Sequence, residues 1–204
     1  MLKNVLTIIS LTLGFLIYVP YFIKIIHKEA SPHVFSWLTW GTLIGLGFIL
    51  SLTNGGGQGA WIFALESFFC FLVAIYALLQ KEKNITRSDQ IVFATALIIT
   101  GFYIFTKDAI ISVVLAATID FLGFIPTFRK SYQKPYSEPL FSYLFSALAF
   151  LVSLGALATY NFTTLFYSLT LVFTNLSLVI FLMARRKIMS KNKLGAYENN
   201  FSRH

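Results

Sequence analysis

Charged side chains are scarce in this chain. Asp, Glu, Lys and Arg together make up only 12% of its 204 residues, about half the share found in an ordinary soluble domain. Hydrophobic residues make up 57% of the chain, and the mean hydropathy is +0.74. This composition excludes a soluble globular domain. Its apolar runs approach the roughly 20 residues that cross a bilayer as a helix, which predicts an all-α polytopic membrane protein.

Groups that carry catalysis or hold metals are also few. The single cysteine, Cys70, lies in an apolar run, so no intrachain disulfide or cysteine metal cluster can form. The glycine-rich stretch Asn54–Gly59 has no Lys-Ser/Thr after it, which a phosphate-binding loop requires. No nucleophile–base pair stands out either. We therefore expect no enzyme activity, no cofactor and no metal site.

Charges and turn residues divide the chain into seven apolar segments. We interpret them as membrane-spanning helices, because a helix satisfies its backbone polar groups within its own segment. The lipid bilayer is thus the first expected partner. The predicted spans are Asn4–Ile26, Phe35–Leu52, Gln58–Leu79, Gln90–Thr106, Ala109–Phe128, Leu140–Tyr160 and Phe162–Met183.

The net charge of +8 does not indicate a nucleic-acid partner, because the basic residues are distributed between the apolar segments. Nearly all of them fall in the first, third and fifth connections and in the tail, whereas the opposite side has only Lys3 and Lys107. Cytoplasmic loops carry the excess of Lys and Arg. We expect an outside amino terminus and a cytoplasmic carboxyl terminus, in a plasma membrane or bacterial inner membrane.

One segment of the sequence recurs. Phe15–Trp37 aligns without gaps with Phe121–Tyr143 at an offset of 106, and nine of 23 positions are identical, prolines, lysines and serines among them. This is an internal duplication of a three-helix unit, and a fourth span between the copies restores the direction of the second copy. The expected organisation is a first bundle (1–80), a linker helix with its loops (81–108), a second bundle (109–184) and a basic cytoplasmic tail (185–204).

This 3 + 1 + 3 arrangement resembles the PQ-loop superfamily, which includes the SWEET sugar transporters and the KDEL receptors. "PTF" at Pro126–Phe128, followed by Lys130 and Lys134, is similar to the SWEET form of the motif. The glutamine of the Pro-Gln signature is missing in both copies, where Tyr21 and Thr127 stand instead. The resemblance implies a transport or receptor role for two three-helix bundles.

The family also pairs asparagines in its third and seventh helices. Asn175 fits the seventh-helix position, whereas its mate at the repeat offset is Phe69. The resemblance therefore implies a binding role for Asn175, in a pocket that is not a simple sugar site.

The repeated prolines are candidate hinges. A proline inside a helix removes a backbone hydrogen bond and kinks the helix, and Pro20 and Pro126 occupy equivalent places in the two copies. A rocking gate would use such a pair, although two kinks that only shape packing are an equal alternative. Trp37 and Tyr143 are repeat mates near the inner face, where they act either as gate residues or as part of an interfacial belt.

Two carboxylic acids, Glu66 and Asp120, lie well inside the predicted spans. They are roughly 12 and 16 Å from the outer ends of their helices at 1.5 Å per residue, which places both near the midplane. Ionisable groups at that depth face a cavity and mark ion or substrate paths. Trp40, one turn deeper than Trp37, is the best candidate for stacking on a substrate. A proton-coupled carrier and a carrier of cationic solutes both suit this arrangement.

These features lead to two functions. The first is a small-solute transporter that works by alternating access between two three-helix repeats, with protons as a second partner if transport is coupled. The alternative is a membrane receptor that binds a peptide or small ligand between the bundles without net transport. Neither function requires an oligomer.

Overall fold

The structure is a computed structural model that describes residues 1–27, 32, 34–80, 87–136 and 138–201. Within these residues the chain forms α-helices and one short 3-10 helix, and no strand. The α-helices are α1 (Leu2–Ile26), α2 (Val34–Thr53), α3 (Trp61–Leu79), α4 (Arg87–Thr106), α5 (Ala109–Gly123), α6 (Ile125–Gln133), α7 (Leu140–Ala156) and α8 (Phe162–Phe201), and the 3-10 turn Gly57–Ala60 precedes α3.

The helices have the length and surface of a multi-pass membrane protein. Six helical segments of the described chain are long and apolar enough to cross a membrane, and α7 is a shorter apolar helix. Large apolar side chains point away from the protein, among them Ile98 and Phe105, which are 69% and 89% exposed. Such a surface is stable in contact with lipid rather than water, as expected for the predicted bilayer partner.

The fifth predicted span is confirmed as an apolar segment long enough to cross a membrane, Ala109–Gln133, but it is interrupted at Phe124 instead of being the single helix expected through Phe128. Helix α5 ends before Phe124 and α6 begins immediately after it. The cause is Pro126, which has no N–H to donate to the carbonyl of Leu122 and whose ring would clash with that carbonyl. The backbone N–H of Phe124 instead donates to the carbonyl of Phe121 at 3.1 Å, which closes a tighter turn.

The equivalent proline in the first copy has a different effect, since Pro20 lies inside the uninterrupted helix α1. The last predicted span also differs from expectation at its end. Helix α8 continues beyond Met183 to Phe201, so the first part of the basic tail extends the helix. Some basic residues of the first and third connections and one pair of repeated serines lie outside the described residues, namely Lys28, Lys81, Lys83, Ser31 and Ser137.

The sixth predicted span ends earlier than the apolar run suggested, because α7 stops short of Tyr160. The chain leaves the helix to pair with the glycine-rich turn that follows α2. The backbone N–H of Ala158 donates to the carbonyl of Gly56 at 3.0 Å, and the side chain of Asn161 donates to the carbonyl of Asn54 at 2.8 Å. We call this side of the molecule the glycine-turn end. The opposite side, which carries Arg129, Lys134, Arg185, Arg186 and Lys187, is the basic end.

Helix packing is ordered around α3 and α8. Helix α3 packs against α1 and α2, and α8 packs against α5 and α7. The group α1–α3 contacts the group of α5, α7 and α8 mainly where α1 packs against α7 and where α2 packs against α5. Helix α4 lies against α2 and α5. The central core contains Phe63, Phe150 and Tyr167, all at most 1% exposed. This packing leaves a space between α1, α2, α3, α5, α7 and α8.

Candidate functional site

A cavity of about 160 Å³ occupies that space, in the half of the molecule toward the basic end. It holds roughly tenfold more room than a single water needs. The structure brings together at this cavity all four residues predicted to bind substrate or protons, and both aromatic gate candidates. The lining residues are Ile17, Tyr18, Tyr21, Trp37, Trp40, Ile44, Glu66, Cys70, Asp120, Phe124, Glu138, Pro139, Ser142, Tyr143, Ser146, Leu171 and Asn175.

The two intramembrane acids lie at the deep side of the cavity. Glu66 on α3 is 5% exposed and Asp120 on α5 is 2% exposed, and they are near enough for their charges to interact. The hydroxyl of Ser146 donates to Oε1 of Glu66 at 3.4 Å, a distance at the weak limit for a hydrogen bond. The hydroxyl group of Tyr167 lies near the Asp120 carboxyl, yet Oδ2 of Asp120 has no hydrogen-bond partner in the described structure.

Asn175 on α8 also lines the cavity and is 4% exposed. Its side-chain nitrogen donates to the carbonyl of Leu171, one turn earlier in the same helix, at 2.8 Å. This bond fixes the orientation of the amide group. Phe69, the repeat mate of Asn175, does not line the cavity but stacks on Tyr18 with ring centroids 4.6 Å apart.

Sequence reasoning missed Tyr18. Its hydroxyl donates to the backbone carbonyl of Glu66 at 3.2 Å and lies 3.6 Å from the sulfur of Cys70, so it ties α1 to α3 beside the acids. A signal was available in the duplication, because Tyr18 aligns with Phe124, and both rings line the cavity.

The cavity walls repeat the internal duplication. The Tyr18 and Trp37 rings contact each other with centroids 6.4 Å apart, and their mates Phe124 and Tyr143 make the corresponding contact, also at 6.4 Å. Trp40 and its mate Ser146 line the cavity as well. Three pairs of equivalent positions thus face one space.

The mouth of the cavity is formed by the segment that leads into α7. The Tyr143 hydroxyl donates to Oε2 of Glu138 at 2.7 Å. Arg186, on the extension of α8, donates to the backbone carbonyls of Glu138 and Pro135 at 2.8 and 3.0 Å. We call the described residues 134–136, 138 and 139 the mouth loop. Sequence reasoning treated Arg186 only as a topological charge, whereas here it holds this loop.

Of the candidate hinge prolines, Pro20 is not among the lining residues. Pro20 is half-buried within α1, and Pro126 is in the first turn of α6, with its side chain outside the described part. Each is two residues beyond an aromatic that does face the cavity, Tyr18 in one copy and Phe124 in the other. A bend at either proline would therefore move a cavity wall.

The cavity is closed toward the glycine-turn end. Phe63 contacts both Phe150 and Tyr167, with centroids 4.9 and 5.6 Å apart. Gly47 allows this approach, because a Cβ at that position would lie 2.7 Å from the Tyr167 ring. We call Phe63, Phe150 and Tyr167 the floor cluster. The floor cluster thus separates the cavity from the glycine-turn end.

No three His, Cys, Asp or Glu side chains of the described residues come together as a metal-ligating group. The chemistry available from the described lining residues is that of three acids, an amide, a thiol, hydroxyl groups and aromatic rings. Comparisons of the chain with protein-family models, with curated proteins and with solved structures give no match.

Proposed function

We propose that this protein is a small-solute membrane transporter that works by alternating access between two three-helix repeats. The repeats are α1–α3 and α5–α8, with α4 as the linker helix between them. The chain would then be a distant relative of the PQ-loop and SWEET proteins that its sequence resembles. Its amino terminus would lie outside and its carboxyl terminus in the cytoplasm, so that the mouth of the cavity faces the cytoplasm.

The observation that carries this proposal is the pair of equivalent aromatic contacts. Tyr18 with Trp37 and Phe124 with Tyr143 are repeat mates, and all four face one cavity. The helix contacts have the same symmetry. Helices α1 and α2 of the first copy correspond to α5 and α7 of the second, so the α1–α7 and α2–α5 contacts are equivalent interfaces. A site between two equivalent halves can be exposed to either side by rocking one half against the other.

Glu66 and Asp120 support a transport role in particular. Buried acids are costly at the bilayer centre and are associated by default with ion and substrate paths. Proton coupling would use the same acids, because a carboxyl group held in a low-dielectric site and beside a second acid can exchange a proton when the cavity opens. Transport would then depend on pH.

Flux measurement tests the proposal. Proteoliposomes are loaded with a mixed pool of amines, amino acids, sugars and vitamins, and mass spectrometry measures which solutes leave. We expect wild-type protein to release at least one solute, faster under an imposed pH gradient. Glu66→Gln and Asp120→Asn should each abolish the pH-dependent component while the protein still folds, since a neutral amide is cheaper to bury than a carboxylate.

Asp108→Asn is the matched control for Asp120→Asn. Asp108 caps α5 by accepting from the backbone N–H of Ile111 at 3.0 Å, and asparagine is an equally good cap. This variant should transport like the wild type. A protein that retains a solute with measurable affinity but never releases it would instead be the receptor that the resemblance also allows, and would overturn the transporter.

A further inference from the structure

The cavity has a strongly one-sided charge. Glu66, Asp120 and Glu138 line it, and none of its described lining residues is Lys, Arg or His. Arg186, at the mouth, is engaged with backbone carbonyls of the mouth loop. A carboxylate-bearing solute would meet the like charge of Glu66 and Asp120, and no described lining residue is a cation that would offset it, which disfavours an anionic substrate.

Asp120 supplies the observation that points to a ligand. Its side chain is 2% exposed and lines the cavity, yet Oδ2 has no hydrogen-bond partner among the described residues. Tyr167 lies beneath it, but its hydroxyl also has no bonded partner there. A buried acceptor without a donor costs roughly 1–3 kcal/mol, and more when it is charged. Buried polar groups normally have a hydrogen-bond donor or acceptor from the protein or from water, and the cavity beside Oδ2 has room for a donor group of a ligand.

Glu66 is in a similar position. Among the described residues its carboxyl group accepts only the long hydrogen bond from the Ser146 hydroxyl at 3.4 Å, so it retains capacity to accept further hydrogen bonds. A single donor group with several N–H bonds, placed between α3 and α5, would serve both acids. An ammonium group carries up to three such donors and the complementary charge.

The walls above the acids suit the remainder of such a molecule. Trp40 of the first copy and Phe124 of the second lie beside each other with ring centroids 6.3 Å apart, and Tyr18, also of the first copy, lines the same cavity. Aromatic faces attract cations, most strongly in desolvated sites. They also bury an aliphatic chain, which contributes roughly 0.8 kcal/mol for each buried methylene.

From these contacts we propose that the cavity binds a small organic amine in its protonated form. The ammonium group donates to Oδ2 of Asp120 and to Glu66, and the carbon chain lies against Trp40 and Phe124. Transport of the amine rests on the proposed function of this protein as a transporter. Binding of the amine in the cavity does not depend on that function and can be tested separately.

Intrinsic fluorescence of the full chain in lipid nanodiscs measures the binding step directly. Two of the three tryptophans, Trp37 and Trp40, line the cavity, whereas Trp61 lies away from it and is 50% exposed. A Trp61→Phe background therefore restricts the signal to the site. The probes are n-butylamine, 1-butanol as its neutral counterpart and butyrate as its anionic counterpart.

We expect a saturable fluorescence change with n-butylamine and none with 1-butanol or butyrate over the same concentrations. Asp120→Asn should weaken n-butylamine binding at least tenfold, and Glu66→Gln should also weaken it. Asp108→Asn should bind as the parent does. Should Asp120→Asn fail to fold, Trp40→Leu should weaken binding while Trp40→Phe largely preserves it, because phenylalanine keeps an aromatic face.

Equal binding of 1-butanol and n-butylamine, or equal affinity in the Asp120→Asn and Asp108→Asn variants, would overturn the amine site. Failure here and failure of the transporter are distinguishable. Flux of a neutral solute without amine binding would contradict the amine site and still support a transporter. Amine binding without any flux would support the amine site and contradict the transporter.

Discussion

At the scale of single residues, the closed side of the cavity depends on a glycine as much as on large side chains. Gly47 lets the Tyr167 ring lie against α2, since a Cβ there would come within 2.7 Å of the ring and 3.0 Å of Phe63. Well-packed cores tolerate added methyl groups poorly, because neighbours are forced out of their preferred rotamers. The floor cluster should therefore be sensitive to the smallest possible substitution.

Gly47→Ala is expected to destabilise the protein by about 1–3 kcal/mol through this overpacking. Gly101→Ala is the matched control, because nothing lies within 4 Å of the Cβ that it would add to helix α4. In a helix interior, alanine is favoured over glycine by roughly 0.5–1 kcal/mol. In thermal unfolding in detergent, the midpoint temperature of Gly47→Ala should be below that of the wild type and the midpoint of Gly101→Ala above it. Equal stability of both would mean that the floor cluster is loosely packed.

Residue-scale prediction from sequence succeeded in part at this cavity. Glu66 and Asp120 could be singled out because an acid in an apolar segment is costly and therefore conspicuous. Tyr18 could not be selected by residue type, since the chain has 10 tyrosines and 22 phenylalanines. Its position became informative only when its ring and that of Phe124 were found on one cavity.

At the scale of helices, the two copies of the repeat differ where the sequence suggested symmetry. Pro20 lies within a continuous α1, whereas Pro126 begins a new helix after the break at Phe124. The missing donor of Pro126 accounts for the break, but the same chemistry leaves α1 continuous at Pro20, so residue type alone predicts a weak point and not which copy breaks. The early end of α7 was not foreseeable in this way, because it depends on the bond from Ala158 to Gly56 on a distant turn.

Pro126→Ala and Pro20→Ala are both expected to slow transport, with the larger effect at Pro126. Alanine at 126 restores a backbone donor, which allows α5 to continue through Phe124 and to carry that ring away from the cavity. At Pro20 the helix is already continuous, so alanine removes only a local weakness. Initial rates in proteoliposomes measure both effects, with the neighbouring Thr127→Ala as control. Full-rate transport by both proline variants would leave the prolines a purely structural role.

The mouth loop is a second element with a specific support. Arg186 holds it through the carbonyls of Pro135 and Glu138, and Glu138 in turn accepts from Tyr143. Arginine donors are arranged in a planar fork that other side chains do not reproduce. Removal of Arg186 should therefore release the loop from α8 and widen the mouth.

This is measured with a cysteine at Ser142, which lines the cavity and is 9% exposed, in a Cys70→Ser background. Arg186→Ala should increase its reaction rate with a water-soluble thiol reagent severalfold. Lys187→Ala, which removes the same charge from an exposed neighbour, should leave the rate unchanged. An unchanged rate in both variants would show that the mouth loop is held by other contacts.

At the scale of the whole molecule, the cavity and most of the described basic residues lie toward the same end. The mouth loop, the α8 extension and most described basic residues lie at one end, while the floor cluster and the paired turns close the other. If the basic end faces the cytoplasm, as the excess of Lys and Arg indicates, the conformation described here is open inward. The orientation of the chain thus decides which state of a transport cycle this is.

Accessibility of single cysteines in a Cys70→Ser background tests that orientation. Gly56, although on the glycine-turn end, is unsuitable, because a Cβ there would meet the Ser51 backbone oxygen at 2.7 Å. Gln58 and Phe162 are exposed at the same end, and Tyr136 is exposed at the basic end. With an impermeant thiol reagent added outside intact cells, cysteines at 58 and 162 should react and a cysteine at 136 should react only after the membrane is opened. The reverse pattern would show that the basic end faces outside and that the cavity lies toward the outer side. The floor cluster would then have to open toward the cytoplasm to complete transport.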